Sequence, residues 1–311
     1  QAQHTVLEID ERRRIVKRKP AGMSLVWDFA LERNIREATS RERKLVILMV
    51  IGAVLAVSVG VYQGWLVAAQ ALTIVLITAG SSPLYLEVRR FQVANRRMLQ
   101  QTFALQHLGQ LNFKSPLPFG RWSVSPDLAE VLMTLMLERR PEVVLEIGSG
   151  TSTVVLAYCR KIIGDCQVIS VDHEPRFAER TRSMLARHGV AEGVNVITAP
   201  LRSTEVVAGD VRAVFQWYDL EELLKDLPLI DLLIVDGPPG KMQPFSRYPA
   251  LPILARHLSA NAVVILDDGG RGEEAEIARL WKDMNPDFDL SYVGTFDGAW
   301  ILTKGGNGWV A

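Results

Sequence analysis

The chain has 311 residues, enough for one large domain with an appendage. Lysine plus arginine and aspartate plus glutamate each number 35, so the formal net charge is +0 and no general attraction to nucleic acid follows. The cysteines, Cys159 and Cys166, number 2, which excludes a disulfide framework and a cysteine-based zinc site and predicts a reducing compartment.

Residues 1–44 read as a basic, amphipathic arm. Arg12, Arg13, Arg14, Lys17, Arg18 and Lys19 form a cluster, and the polar start predicts no secretory leader. Pro20 and Gly22 break any helix there, and Ser24 can cap the next one. Leu25, Trp27, Phe29, Leu31 and Ile35 alternate with Arg33, Arg36, Arg41, Arg43 and Lys44. That mixture predicts a helix lying on a membrane surface, with a solvated helix packed on the catalytic domain as the alternative.

The mean hydropathy of +0.12 has a local cause. Leu45–Tyr62 and Trp65–Leu86 contain no charged residue, and Gln63-Gly64 separates them. A helix of eighteen residues spans about 27 Å, near the hydrocarbon thickness of a bilayer. Residues 45–86 therefore predict an α-helical transmembrane hairpin; a re-entrant hairpin fits the same charges, and a buried hairpin of a soluble protein is the remaining alternative. Basic residues flank both ends (Arg41, Arg43 and Lys44 before; Arg89, Arg90, Arg96 and Arg97 after), which places both ends in the cytoplasm at the cell (inner) membrane. Residues 87–118 read as a connecting helix and a Pro/Gly-bounded linker.

From 119 to 311 the pattern changes. Ser125-Pro126 opens a helix to about Arg139, and Pro141 stops it. Strands are expected at 143–147, 167–171, 194–198, 230–235 and 262–266. Helices are expected near 151–163, 175–188, 220–225, 248–257 and 273–284. This alternation predicts an α/β, Rossmann-like, doubly wound parallel sheet with right-handed crossovers. Residues 290–295 and 299–303 then flank Asp297-Gly298, the signal of a terminal antiparallel β-hairpin.

The chemistry concentrates at strand ends. Val143–Ile147 carries Glu146 and runs into Gly148-Ser149-Gly150-Thr151-Ser152-Thr153. Such a loop brings backbone close to a ligand at a helix N-terminus. A dinucleotide fingerprint needs a third glycine where Thr153 stands, so that pattern fails. Asp172, at the end of the second strand, sits where a ribose is held, with His173 beside it and Glu174 as a less favoured substitute. Ala199-Pro200-Leu201 offers backbone contacts only, and Trp217-Tyr218 reads as packing, with flanking of the substrate as the alternative. The fourth strand ends at Asp236, before Gly237-Pro238-Pro239-Gly240-Lys241, and the fifth ends at Asp267-Asp268. Carboxylates that converge need either a cation or a shared proton.

The glycine loop resembles the E/D-x-G-x-G loop of class I S-adenosylmethionine (SAM) methyltransferases. Together with Asp172-His173, Ala199-Pro-Leu, Val235-Asp-Gly-Pro-Pro-Gly240, Arg247-Tyr-Pro-Ala-Leu-Pro252 and Leu266-Asp-Asp-x-x-Arg-x-x-Glu274, it resembles the methyltransferase 24 family, akin to catechol-type O-methyltransferases. The resemblance implies a SAM site built from Glu146, Gly148, Ser149, Gly150, Thr151, Ser152, Asp172, His173 and Asp236. It implies a magnesium ion on Asp236, Asp267 and Asp268, and catalysis by Asp236 with Lys241 as the base. Asp268 stands where the family has asparagine, and Lys241 lies farther along its loop; Arg271 and Glu274 offer a structural pair. The expected function is O-methylation of a small-molecule or lipid-linked hydroxyl at the membrane, with a homo-oligomer compatible. An aminopropyltransferase, a silent methyltransferase-fold subunit of a membrane complex and an NAD-dependent oxidoreductase are the rival readings.

Overall fold

The computed structural model of the chain describes residues 44, 47–52, 54, 55, 58, 65–120, 122–208 and 211–305. The chain divides after Gln100 into two units.

In the first unit the described residues from Trp65 onward belong to helix α1, Trp65–Leu108. Leu72, Ile74, Leu76 and Ile77 are all exposed on it. The basic arm up to residue 43, the expected turn at 63–64 and part of the first uncharged run lie outside the described residues. Among the described residues, no helix is long and apolar enough to cross a membrane. The expected transmembrane hairpin is thus not found among them. The apolar start of α1 runs without a break into Glu87, Arg89, Arg90, Arg96 and Arg97 of the same helix.

The second unit is built on a seven-stranded sheet. Its strands are β1 (Val143–Ile147), β2 (Gln167–Asp172), β3 (Val194–Thr198), β6 (Ile230–Val235), β7 (Leu258–Leu266), β8 (Phe288–Val293) and β9 (Ala299–Lys304), in the order β3-β2-β1-β6-β7-β9-β8. The first five run parallel, and β9 is antiparallel to both β7 and β8. This is the expected doubly wound sheet with its terminal hairpin. The strand order reverses at β1, so the crevice between β1 and β6 is the topological switch point where ligands bind.

Strand alternation explains the layers. Val144, Val168, Leu232 and Ile265 face one core with α2 (Pro126–Arg139), α3 (Thr151–Ile163) and α4 (Pro175–His188). Leu145, Ile169, Leu233 and Leu266 face the other core, with α6 (Ala250–Leu254) and α7 (Gly272–Met284). Both cores bury residues to complete exclusion of solvent, and the central strands β1 and β6 are buried along nearly their whole length. Pro126 and Pro175 occupy first-turn positions of α2 and α4, where a missing N–H costs nothing. Ser125 stands at the N-cap of α2, but its side chain makes no capping bond.

Two local expectations change. The stretch after β3 forms an antiparallel pair, β4 (Leu201–Ala208) with β5 (Val211–Tyr218), which precedes the short α5 (Glu221–Lys225). The helix expected at 248–257 is only α6 and a 3-10 turn at Ala255–His257, and β7 begins earlier than expected, at Leu258.

Candidate functional site

The site forms at the carboxyl ends of β1, β2, β6 and β7. Gly148 follows β1 with φ of +106°, and a Cβ there would lie 2.9 Å from the carbonyl oxygen of Asp236. Only glycine lets the two strand ends come this close. The Asp236 amide donates to the Ile147 carbonyl (2.8 Å), which locks β6 beside the loop. A Cβ at Gly150 would meet no heavy atom within 4 Å, so space opens in front of the α3 N-terminus. The first-turn amides of α3 have no partners inside the helix and suit a carboxylate or a polar ligand.

Glu146 lies wholly buried beneath this loop. Its Oε2 accepts from Thr153 Oγ1 (2.5 Å) and Ser170 Oγ (2.6 Å), and Thr153 Oγ1 accepts from the Gly150 amide (2.9 Å). Glu146 therefore holds the loop from below through Thr153. Its Oε1 has no hydrogen-bond partner among the described residues. Burial pushes its carboxyl up to about 7, against the pull of the Ser152, Ser170 and Thr153 hydroxyls.

Asp172 is also buried. Its Oδ2 accepts from the Ser149 amide (3.3 Å) and hydroxyl (2.9 Å), and Oδ1 accepts from the Glu174 amide (2.9 Å). Each oxygen keeps acceptor capacity for a ribose hydroxyl. The acid does not cap α4 itself, whose N-cap is Glu174. His173 Nδ1 lies 3.6 Å from Asp172 Oδ1, and its ring meets Tyr218 edge-on at 5.8 Å.

Tyr218 takes the second of its two sequence readings, a place beside the site. It is buried, and its hydroxyl lies 2.3 Å from where a Cβ on Gly237 would stand. Burial raises its pKa, and the carboxylates of Asp172 and Asp236 raise it further. Tyr218 thus lies beside Gly237 and His173, the neighbours in sequence of Asp236 and Asp172, and the β4–β5 pair delivers it there.

The carboxylates after β6 and β7 meet a residue the sequence reading gave no role. Arg247, with its side chain only 4% exposed, donates through Nη2 to Asp236 Oδ1 (2.9 Å) and Asp268 Oδ2 (2.6 Å). Its Nη1 donates to the Asp267 carbonyl (2.8 Å). Burial alone would lower the Arg247 pKa, but Asp236, Asp268, Asp267 and Glu274 outweigh it and raise it. Arg271 Nη1 adds a second contact to Asp268 (2.7 Å) and lies 3.6 Å from Glu274. Asp267 Oδ1 accepts from the Asp268 amide (2.6 Å), and Asp268 adopts φ of +60°. Burial raises the carboxyls of Asp236, to about 6, and of Asp267; Arg247 opposes both shifts, and neighbouring acids add to them.

This arrangement corrects the metal expectation. Asp236, Asp267 and Asp268 do gather at adjacent strand ends, but a guanidinium lies among them and Asp267 is turned to its own loop. Among the described residues, no three His, Cys, Asp or Glu side chains could hold a metal ion. The residues do not fit magnesium. They do fit SAM: a glycine cradle, a buried carboxylate oxygen without a partner and an acid at the ribose position converge on one crevice. Lys241 is exposed on the loop after Asp236 and is not brought into the carboxylate cluster. Clefts of about 670 and 650 Å³ lie at the opposite, amino-terminal edge of the sheet, beside Arg140, Glu142 and Pro228.

The signal for Arg247 was present in the Arg-Tyr-Pro-Ala-Leu-Pro motif, since an arginine ahead of a short buried helix needs a partner. Nothing in the sequence tied Tyr218 to Asp172.

Residues 145–269 match the family model of a methyltransferase domain. The match spans the glycine loop, Asp172, Asp236 and the acids after β7. No curated protein matches the chain. Among solved structures, a Podospora anserina methyltransferase bound to SAH is 17% identical, with 69% of this chain and 96% of that one covered and a TM-score of 0.47. An O-methyltransferase from Bacillus cereus in complex with SAH is 18% identical, with 66% and 90% covered and a TM-score of 0.46. The Streptomyces achromogenes O-methyltransferase TomG, in complex with SAM, is 18% identical, with 66% and 90% covered and a TM-score of 0.44.

Proposed function

We propose that the chain transfers the methyl group of SAM to a hydroxyl oxygen of a small-molecule or lipid-linked acceptor. The observation that carries this reading is the joining of the glycine loop to Asp236: Gly148, where a Cβ would lie 2.9 Å from the Asp236 carbonyl oxygen, presses directly on the residue that follows β6. In this reading the loop and the α3 amides take the methionine end of SAM, Asp172 takes the ribose, and His173 and Tyr218 flank the adenosine. Holding oxygen, methyl carbon and sulfur in line supplies much of the rate, because it replaces a chance encounter by a fixed geometry.

Asp236 is the group best placed to receive the acceptor proton. Its side chain is 34% exposed, against 13% for Asp268, so it is the cluster's accessible carboxylate. Its pKa near 6 suits a base at neutral pH. Lys241, exposed on the same loop, is assigned to drawing in the acceptor or steadying its oxyanion. Attachment to the cytoplasmic face of a membrane belongs to the same proposal. Its support is the pair of uncharged runs with basic flanks and the exposed apolar side chains of α1. Flotation of the full chain with lipid vesicles tests that part; a chain that stays at the bottom of the gradient counts against it.

The central test is calorimetric titration of S-adenosylhomocysteine (SAH) into the full chain. Stoichiometric binding that Asp172→Ala abolishes is expected. A wild-type protein that takes up no SAH removes the methyltransferase reading.

A further inference from the structure

We propose that the Arg247 guanidinium occupies the place a divalent cation would need, and that the acceptor is therefore a single hydroxyl held without a metal bridge. This rests on the methyl-transfer reading of the site but concerns a separate property of it.

A metal-bridged site works by offering one cation to two protein carboxylates and two acceptor oxygens at once. Here the two carboxylate oxygens such a cation would take, Asp236 Oδ1 and Asp268 Oδ2, both accept from one nitrogen, Arg247 Nη2, at 2.9 and 2.6 Å. The same side chain reaches the Asp267 carbonyl through Nη1, so its planar fork is fixed at both tips. Asp268 is taken a second time, by Arg271. The third acid, Asp267, spends Oδ1 on the Asp268 amide. A hydrated cation would have to displace a guanidinium whose side chain is only 4% exposed, next to Ser246, whose hydroxyl donates to the Pro238 carbonyl (3.1 Å).

Charge neutralisation by an arginine differs from that by a metal in one chemical respect. A guanidinium donates hydrogen bonds and has no open coordination positions; here Nη1 and Nη2 face protein oxygens, and the buried Nε has no partner among the described residues. It cannot chelate two vicinal oxygens of an acceptor. What stays accessible is Asp236, which can bind one hydroxyl and take its proton. The site then suits an isolated hydroxyl rather than a vicinal, catechol-like pair.

Manganese titration of the full chain, followed through the resonance of the free ion, tests this directly. No stoichiometric submillimolar site is expected, with or without SAH. One such site, lost in Asp236→Asn, would overturn the proposal. Arg247→Ala is expected to acquire manganese binding and a manganese-dependent rise in melting temperature that the wild type lacks; a folded variant that gains neither counts against the substitution. Should that variant not fold, the wild-type titration decides alone. SAH titration in the presence of a chelator separates the two levels: unchanged binding is expected, loss on chelation overturns metal independence, and no binding under either condition overturns the methyltransferase reading while the manganese result stands.

Discussion

Arg247 Nη2 lies 2.9 Å from Asp236 Oδ1, so the acid that follows β6 is paired with a guanidinium delivered by the chain 11 residues further along. That pair sits at the centre of the site, and most of what can be tested follows from it or from the loop beside it.

Removing the buried cation should be costly. Arg247→Met leaves Asp236 and Asp268 without their shared partner, and a loss of about 3–5 kcal/mol is expected in urea unfolding. Arg271→Ala, at a side chain 56% exposed, should cost under about 1 kcal/mol. Equal losses in the two variants would contradict the assignment of Arg247 as the principal partner.

The glycine loop separates stability from binding. Gly148→Ala places a Cβ 2.9 Å from the Asp236 carbonyl oxygen at a φ of +106°, so a loss of roughly 1–3 kcal/mol is expected along with weaker SAH binding. At Gly150 the backbone φ is 175°, which any residue adopts, and the space ahead is open. Gly150→Ala should therefore fold with wild-type stability yet bind SAH at least about tenfold more weakly, a loss of about 1.4 kcal/mol. Unchanged SAH affinity there would show that the cofactor does not use that space.

Glu146 predicts a pH dependence of stability. Its folded pKa is raised to about 7 from 4.5, so the folded state holds the proton more tightly than the unfolded chain. Stability is then unaffected by this group below the unfolded value and falls as pH rises from 4.5 through about 7. The full decline amounts to roughly 3 kcal/mol by linkage. Glu146→Gln should flatten the curve between those limits; an equally steep curve in the variant would assign the slope to another group.

Asp236→Asn should retain SAH binding while methyl transfer falls about 10²–10⁴-fold, the range for loss of a general base. Single-turnover measurement with a hydroxyl acceptor distinguishes the two effects. Loss of SAH binding in parallel would make Asp236 a cofactor ligand first and a base second.

Much of the fold was legible in sequence because its signals are local. Five apolar runs separated by amphipathic stretches specify a parallel sheet, and the strand ends carry their acids at positions that topology turns toward ligands. Gly148, Gly150, Asp172 and Asp236 could be named from that rule and Glu146 from the resemblance to the E/D-x-G-x-G loop, and all lie at the carboxyl-end side of β1, β2 and β6. The β4–β5 pair is not legible in the sequence because Arg202, Glu205 and Arg212 dilute its alternation.

The nature of the carboxylate cluster was settled only by tertiary structure. Spacing brings Asp236, Asp267 and Asp268 together equally well around a metal or around an arginine. What separates the two is a contact from a loop that returns over the sheet, and no local pattern encodes which side chain that loop places inside. Tyr218 is the same case: it comes to lie beside Gly237 and His173 from the end of a hairpin, through non-local packing that the sequence specifies but does not display. Sequence by itself determined the layers, the strand ends and the acids; tertiary packing decided which counter-charge those acids meet, because a buried carboxylate's partner depends on which distant segment closes over it.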